Sequence, residues 1–295
     1  MRILITGASG LLGSKIAETA LSRGHDVFAC YNTRSSRVGH PLKFDLTGEQ
    51  VVFDTLKNVY PDAVVHSAAL TDVDYCEKNR EIAYRINVEG TRNIVRACGG
   101  KVFLAYVSTD YVFSGEKGMY KEEEQTAPVD YYGLTKLEGE IVVTNSSLDY
   151  LIARPSVIYG SKPASGKVNF ALWALDRLKK GQYVRVLVDQ FTSPTLNSNL
   201  ARMMVEAIER RLTGIYHMAG STRISRYNFV LELAKAFKLD MGLINEAKMQ
   251  EMNWTARRPR DSSLDVGKAG SCLGNKPLEI SDAVNILKSE VEAFA

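Results

Sequence analysis

The 295 residues, 45% hydrophobic and 24% charged, have the make-up of an ordinary globular chain, long enough to bury a substantial core in one large α/β domain or two unequal lobes. A net charge of +3, thinly dispersed, excludes an electrostatic case for nucleic acid, and no apolar run reaches the roughly 18 residues a membrane helix needs. The chain enters a strand at once, without a signal-peptide pattern, and its four cysteines (Cys30, Cys76, Cys98, Cys272) show no metal-like spacing, so they read as reduced thiols of a cytoplasmic protein.

The first predicted element is a buried strand over Ile3-Leu4-Ile5. It breaks into Thr6-Gly7-Ala8-Ser9-Gly10-Leu11-Leu12-Gly13, and a helix begins near Leu11. Glycines at G-x-x-G-x-x-G spacing remove the Cβ where a chain turns tightly, where a diphosphate approaches the backbone, and where helix packs on strand. The helix then offers unpaired N–H groups and its positive dipole end to phosphate. The stretch therefore predicts a dinucleotide site at Gly7, Ser9, Gly10, Leu11, Leu12 and Gly13. Helical spacing through Ile16, Ala17, Ala20 and Leu21 stops at Arg23-Gly24.

Strand two is Val27 to Cys30, followed by Tyr31-Asn32-Thr33-Arg34. An acid here would bind the 2′-hydroxyl of NAD and repel the 2′-phosphate of NADP. None is present, and an arginine suits that phosphate. Asn32, Thr33 and Arg34 thus favour NADP(H) over NAD(H); the alternative is that Arg34 and Arg37 only decorate a solvated loop. A third strand, Leu42 to Leu46, ends in Asp45, which accepts from the adenine amino group, caps a helix over Glu49 to Leu56, or does both. Strand four runs from Ala63 into Ala68-Ala69, where small side chains let a cofactor lie across the strand end. His66 reads as a packed strand histidine. One long helix or two occupy Asp72 to Cys98, and strand five, Val102 to Val107, ends at Ser108-Thr109-Asp110. Strands alternating with helices predict a parallel, doubly wound sheet. Ligands bind such sheets outside the carboxyl ends of the strands, so Gly7 to Gly13, Tyr31 to Arg34, Ala68 to Thr71 and Ser108 to Tyr111 share one rim.

Tyr132 and Lys136 are four apart on a predicted helix and lie on one face. An ammonium near a phenol favours phenolate, lowering the tyrosine pKa toward working pH. Tyr132 then gives a proton to a carbonyl oxygen as hydride arrives, while Thr109 holds the same oxygen. Lys136 also donates to the cofactor ribose. Beyond this point, Leu151 to Gly160 reads as a sixth strand leaving the sheet and Ser161 to Asn169 as a mobile loop over the site. Phe170 to Lys180 is an amphipathic helix, Val184 to Val188 a short strand, Leu196 to Arg211 a helix, and Ile215 to Gly220 a late strand with a structural His217. Arg226 to Phe237 and Ser281 to Phe294 are helices with apolar, core-facing stripes. Arg257, Arg258 and Arg260 flank Pro259, and their forks either grip a diphosphate or tie the loop to the main body.

These residues resemble the extended short-chain dehydrogenase/reductase family, and within it the chain is most similar to the dTDP-4-dehydrorhamnose reductases over nearly its whole length. The resemblance rests on Thr6 to Gly13, Ala68 to Asp74, Asn87-Val88, Ser108-Thr109-Asp110-Tyr111-Val112-Phe113 and Tyr132 to Leu137. It continues through Asn169-Phe170, Asp189-Gln190-Phe191 with Pro194-Thr195, and Arg258-Pro259. It implies a Rossmann-like doubly wound sheet with a smaller, mostly C-terminal substrate lobe. Residues 1–160 would form the dinucleotide-binding domain, 193–220 would pack back onto it, and 161–192 with 221–295 would make the substrate lobe. By resemblance Thr109, Tyr132 and Lys136 are the catalytic set. Asp45, Leu46, Ala68, Ala69, Leu70, Thr71, Val107 and Pro155 join the glycine turn, Asn32, Thr33 and Arg34 around the cofactor, with Tyr132 and Lys136. Val73, Thr109, Asp110, Tyr111, Val157, Asn169, Gln190 and Arg258 face the substrate.

Related 4,6-dehydratases resemble Thr-Asp-Glu where this chain has Thr109-Asp110-Tyr111, and Glu122, Glu123 and Glu124 read as a solvated charge run, so a reductase fits better. The chain departs from the rhamnose reductases at Val157, where a tryptophan packed against the sugar is expected. The expected function is NADPH-dependent reduction of the 4-keto group of a nucleotide-linked 6-deoxy sugar, in a chain that binds no metal and, by resemblance, forms a homodimer. The alternatives are an NADP-binding regulatory subunit resembling that of methionine adenosyltransferase, which shares the pattern at Arg258 to Lys268, or another nucleotide-sugar epimerase or reductase.

Overall fold

A parallel strand covered by helices on both faces has no solvated side, so its sequence is apolar throughout rather than alternating. In the computed structural model, which describes residues 1–36, 38–163 and 168–293, this is the pattern of β1 (Arg2–Thr6), which is buried from Ile3 onward. It is followed by β2 (Asp26–Tyr31), β3 (His40–Lys43), β4 (Ala63–His66), β5 (Phe103–Val107) and β6 (Tyr150–Arg154). Shorter strands come next: β7 (Ser156–Tyr159), β8 (Val184–Leu187), β9 (Phe191–Thr192), β10 (Pro194–Leu196) and β11 (Gly214–His217). Seven strands form one parallel sheet in the order β11-β6-β5-β4-β1-β2-β3. The order reverses beside β1, and ligands of such sheets bind in the crevice that opens there.

Helix α1 (Gly13–Ser22) covers one face of the sheet. The other face carries α2 (Glu49–Val59), α3 (Val73–Lys78), α4 (Arg80–Tyr84), α5 (Gly90–Ala97) and α6 (Tyr131–Thr144). Further along come α7 (Phe170–Lys179), α8 (Asn197–Glu209), α9 (Arg226–Ala236), α10 (Gly267–Cys272) and α11 (Ile280–Glu292). Ile16, Ala17 and Ala20 of α1 meet Leu200, Met203 and Met204 of α8 in one core, and Val52, Leu56, Ile94 and Val143 fill the opposite face. A separate core joins Leu175, Phe229, Leu233 and Leu287 from α7, α9 and α11. There, β8 pairs with residues Ile244–Ala247.

Several expectations are corrected. Strand β3 stops at Lys43, before Asp45, because the Asp45 carboxylate accepts from the Thr47 N–H (2.9 Å) and hydroxyl (2.8 Å), a local turn that competes with the ladder. Gly48, not Asp45, holds the cap position of α2. Asp72 to Cys98 forms two helical stretches, α3 and, after a break at Asn79, an unbroken run of α4, a π turn over Arg85–Glu89, and α5. Within that π turn the Asn87 amide donates to the Leu70 carbonyl and the Thr135 hydroxyl, and accepts from the Leu70 N–H. π turns of this kind are rare and concentrate at functional sites. The sixth strand stays in the sheet between β5 and β11. Pro155, with no N–H to give the ladder, ends it, and only β7 departs, to pair with β10. Arg37, part of the 161–169 loop and the last residue of the expected final helix, Phe294, lie outside the described residues.

Candidate functional site

The glycine turn is fixed by close approach. Gly7 has φ +69°, and a Cβ there would come within 2.9 Å of the Ala68 backbone, where β4 ends; at Gly13 it would sit 2.3 Å from the Gly7 carbonyl oxygen. The cradle therefore tolerates only backbone, which is what a diphosphate seated on amide N–H groups needs. From behind, the Asn197 amide of α8 donates to the Leu11 carbonyl (2.9 Å). Leu12 is buried in the core, whereas Ser9, Gly10 and Leu11 are half-buried. Along the rim, Asn32, Thr33 and Arg34 are exposed, as are Asp45 and Thr71, and Ala68, Ala69 and Leu70 are half-buried. Leu46, Val107 and Pro155 are buried; the Leu46 carbonyl accepts from the Asn93 amide (3.1 Å) and the Pro155 carbonyl from the Asp110 N–H (3.0 Å).

Helix α6 begins at Asp130, whose carboxylate accepts from the Gly133 N–H (2.8 Å). It lies so near β5 that a Cβ at Gly139 would fall 2.1 Å from the Tyr106 hydroxyl. This approach sinks Tyr132 and Lys136 to 9% and 2% exposure, one turn apart. Burial raises the Tyr132 phenol well above its ordinary pKa, opposed by a side-chain hydrogen bond with Thr109. Burial also pushes the Lys136 ammonium down to about 7, against the pull of Glu140. Lys136 Nζ stands 4.1 Å from the centre of the Tyr106 ring. The expected acidification of Tyr132 is thus corrected: loss of hydration is the largest influence on the phenol, and it keeps the proton on. Glu140, one turn beyond Lys136, accepts from Arg154 Nε (2.9 Å) and Nη2 (2.6 Å) and from the Ser108 hydroxyl.

On the substrate side, the Asp110 carboxylate accepts from the hydroxyls of Thr109 (3.0 Å), Ser156 (2.7 Å) and Ser262 (2.5 Å), tying β5 to β7 and the 261–265 segment. Tyr111 sets its ring edge against Tyr132, with centroids 5.9 Å apart. Val157 has φ +41°, a region a β-branched residue rarely enters. Asn169 caps α7 through the Leu172 N–H (3.2 Å) and donates to the Gly160 carbonyl (2.9 Å). Val73 opens α3 and is half-buried. Arg258 pairs with Asp74 (3.0 Å), lies 5.3 Å from the Trp254 ring centre and donates to the Ala256 carbonyl, all tethering contacts; Arg257 and Arg260 are exposed. Gln190 is buried, donates to the Pro259 carbonyl and accepts from Arg226 Nε, both at 3.3 Å.

Arg226, Glu140 and Arg154 were not singled out from the sequence. Glu140 carried a signal, falling on the same helix face as Lys136; Arg226 carried none beyond its place at a helix start. Glu122 is not simply solvated, since its carboxylate accepts from the His217 N–H (2.9 Å). His66 lies between the hydroxyls of Thr6 (2.8 Å) and Thr91 (3.1 Å), and burial, with the Lys136 charge, pushes it down to about 3. Burial likewise brings His217 to about 4. Neither is charged near neutral pH. Among the described residues no group of His, Cys, Asp or Glu is arranged to hold a metal ion, and no helix is long and apolar enough to cross a membrane.

A parallel sheet in this strand order, with a glycine turn after β1, Ser-Thr-Asp after β5 and Tyr-x-x-x-Lys on α6, defines a Rossmann-type chain of the extended short-chain dehydrogenase/reductase class. Within that class the chain belongs to the RmlD substrate binding domain family, matched over residues 1–292. It is 32% identical, over all of both chains, to the Haloferax volcanii protein described as "Probable low-salt glycan biosynthesis reductase Agl14". The crystal structure of a hypothetical dTDP-4-dehydrorhamnose reductase from Sulfolobus tokodaii superposes with TM-score 0.85 at 40% identity, covering 96% of this chain and 99% of that one. The dTDP-4-dehydrorhamnose reductase of Bacillus anthracis, in complex with NADP, superposes with TM-score 0.88 at 28% identity, covering 98% and 99%.

Proposed function

We propose that this chain is an NADPH-dependent reductase of the 4-keto group of a nucleotide-linked 6-deoxy sugar. The observation that carries this reading is the burial of Tyr132, against Thr109, and of Lys136 on one face of α6, beside the carboxyl end of β5. The backbone-only cradle at Gly7 and Gly13 fits a dinucleotide diphosphate, with Ala68 to Thr71, Val107 and Pro155 along its course. When bound, the nicotinamide supplies a hydride to C4 of the sugar. Tyr132, held protonated by its buried setting, delivers its proton to the C4 oxygen, and the Thr109 hydroxyl orients that oxygen. Lys136 donates to the cofactor ribose. Preference for NADP(H) rests on Arg34 and on the missing acid after β2. We further assign residues 1–160 and 193–220 to the cofactor domain, supported by β11 in the main sheet and α8 against α1, and 161–192 with 221–295 to the substrate lobe.

The test is NADPH oxidation by the purified chain with dTDP-4-keto-6-deoxy-L-mannose. Wild type turns over, and Tyr132→Phe loses a factor on the order of 10²–10⁴, the usual worth of a positioned proton donor. An inactive wild type that captures a methionine adenosyltransferase would replace the enzyme with the regulatory alternative.

A further inference from the structure

Arg226 opens α9, which Ser225 caps by accepting from the Asn228 N–H (3.1 Å). Its guanidinium lies 5.0 Å from the Phe170 ring centre, and Nε donates to Gln190, itself held by the Pro259 carbonyl. Two elements therefore fix this fork in place. Among the described residues no carboxylate forms an ion pair with it, and its two terminal nitrogens make no hydrogen bond. The acid whose charge it feels is Asp110, already engaged by three hydroxyls, and the other groups acting on it are Tyr111 and the like-charged Arg258. Burial lowers its pKa from the ordinary value. Holding a half-buried cation beside another, without a counterion, is unfavourable unless something else supplies the negative charge.

We propose that Arg226, aligned by Gln190 and Phe170, is the anion receptor of the substrate cleft and grips an oxyanion of the substrate through its terminal nitrogens. This rests on the reading of the cleft as a nucleotide-sugar site. Tyr111, which Arg226 influences directly, packs on the proton donor Tyr132, so the oxyanion would sit beside the reacting sugar. The 6-deoxy sugar of that reading carries no carboxylate, which leaves the phosphate next to the anomeric carbon as the oxyanion. A planar fork binds a phosphate bidentately, which an ammonium cannot reproduce. Arg258 is less suited, since Asp74 already neutralises it.

Calorimetric titration of the full chain with dTDP, dTDP-glucose and dTDP-glucuronic acid tests this. If the phosphate is the ligand, Arg226→Gln weakens all three about tenfold or more, the worth of a charge-assisted hydrogen bond. Arg226→Lys, which keeps the charge but not the fork, falls between, and wild-type affinity drops as salt rises. A loss confined to dTDP-glucuronic acid would overturn the phosphate as the ligand. Equal affinities for all three probes in wild type and Arg226→Gln, with NADPH binding retained by both, would overturn the assignment while leaving the reductase reading intact. A wild type that binds NADPH but none of the three probes would sink both.

Discussion

A lysine whose pKa lies near 7 is a titrating group at working pH. Lys136 keeps its proton up to 10.5 when hydrated and surrenders it near 7 when folded. Between those values the unfolded chain binds more protons than the folded one, so stability rises with pH across that window and the contribution is lost as pH falls through about 7. Lys136→Met removes this dependence, and chemical denaturation at pH 7 and pH 9 should show the wild-type difference shrink. Because only the protonated amine is a full donor to the ribose, NADPH affinity should fall as pH climbs through about 7 in wild type and lose that slope in the variant. The identity of this pair was legible, since four-residue spacing places Tyr132 and Lys136 on one helical face whatever surrounds them. The direction of their pKa values was not. Burial decides it, and that burial comes from Tyr106, Thr109 and Gly139, contacts that spacing within one helix does not encode.

At the scale of the element, α6 is held at its start by an acid under strain of charge rather than geometry. Asp130 Oδ1 caps the helix, but Oδ2 is buried without a hydrogen-bond partner, and burial pushes the carboxyl up to about 6. The folded chain thus binds an extra proton between 3.8 and about 6, and stability falls as pH rises through that interval. Asn caps a helix as well as Asp does and carries no charge. Asp130→Asn should therefore be the more stable protein at pH 7 and should lose the decline between pH 4 and 6 that wild type shows, whereas Asp130→Ala, which loses that decline and the cap as well, should lie about 1 kcal/mol below Asp130→Asn at any pH. Thermal melts across pH separate the two outcomes. The existence of α6, like that of α1 and α8, was readable from periodicity. Its neighbours between Asp72 and Cys98 were legible as helix, but not the π turn within them, where Asn87 reaches outside its own segment to Leu70 and Thr135. The third strand failed for a local reason, the side-chain turn at Asp45.

For the whole molecule, the strand order did most of the work of assembling the site. Any chain that alternates strand and helix from Ile3 to Val107 and carries a glycine turn after its first strand places that turn, Ala68 and Thr109 on one rim. That much followed from the sequence. Of the later strands, two to four residues long, β8 and β11 were legible as short apolar runs, whereas β9 and β10 pair with partners chosen by packing, as β10 does with β7, and no periodicity announces them. What joins the two faces of this assembly is the buried pair of Glu140 on α6 and Arg154 on β6, with Ser108 as a third member. Breaking a buried pair leaves the survivor's charge stranded and costs about 3–5 kcal/mol. Replacing both partners by apolar residues of similar size removes the charge altogether and is often neutral. Glu140→Leu and Arg154→Met should each destabilise the chain by about that amount, and the double variant by clearly less than their sum. Urea unfolding of the four proteins measures the coupling; additive losses would mean the pair is incidental. If the pair also sets the charge beside Lys136, the double variant should keep its fold yet shift the pH at which NADPH affinity falls to lower values, since Glu140 is what holds the ammonium protonated against burial.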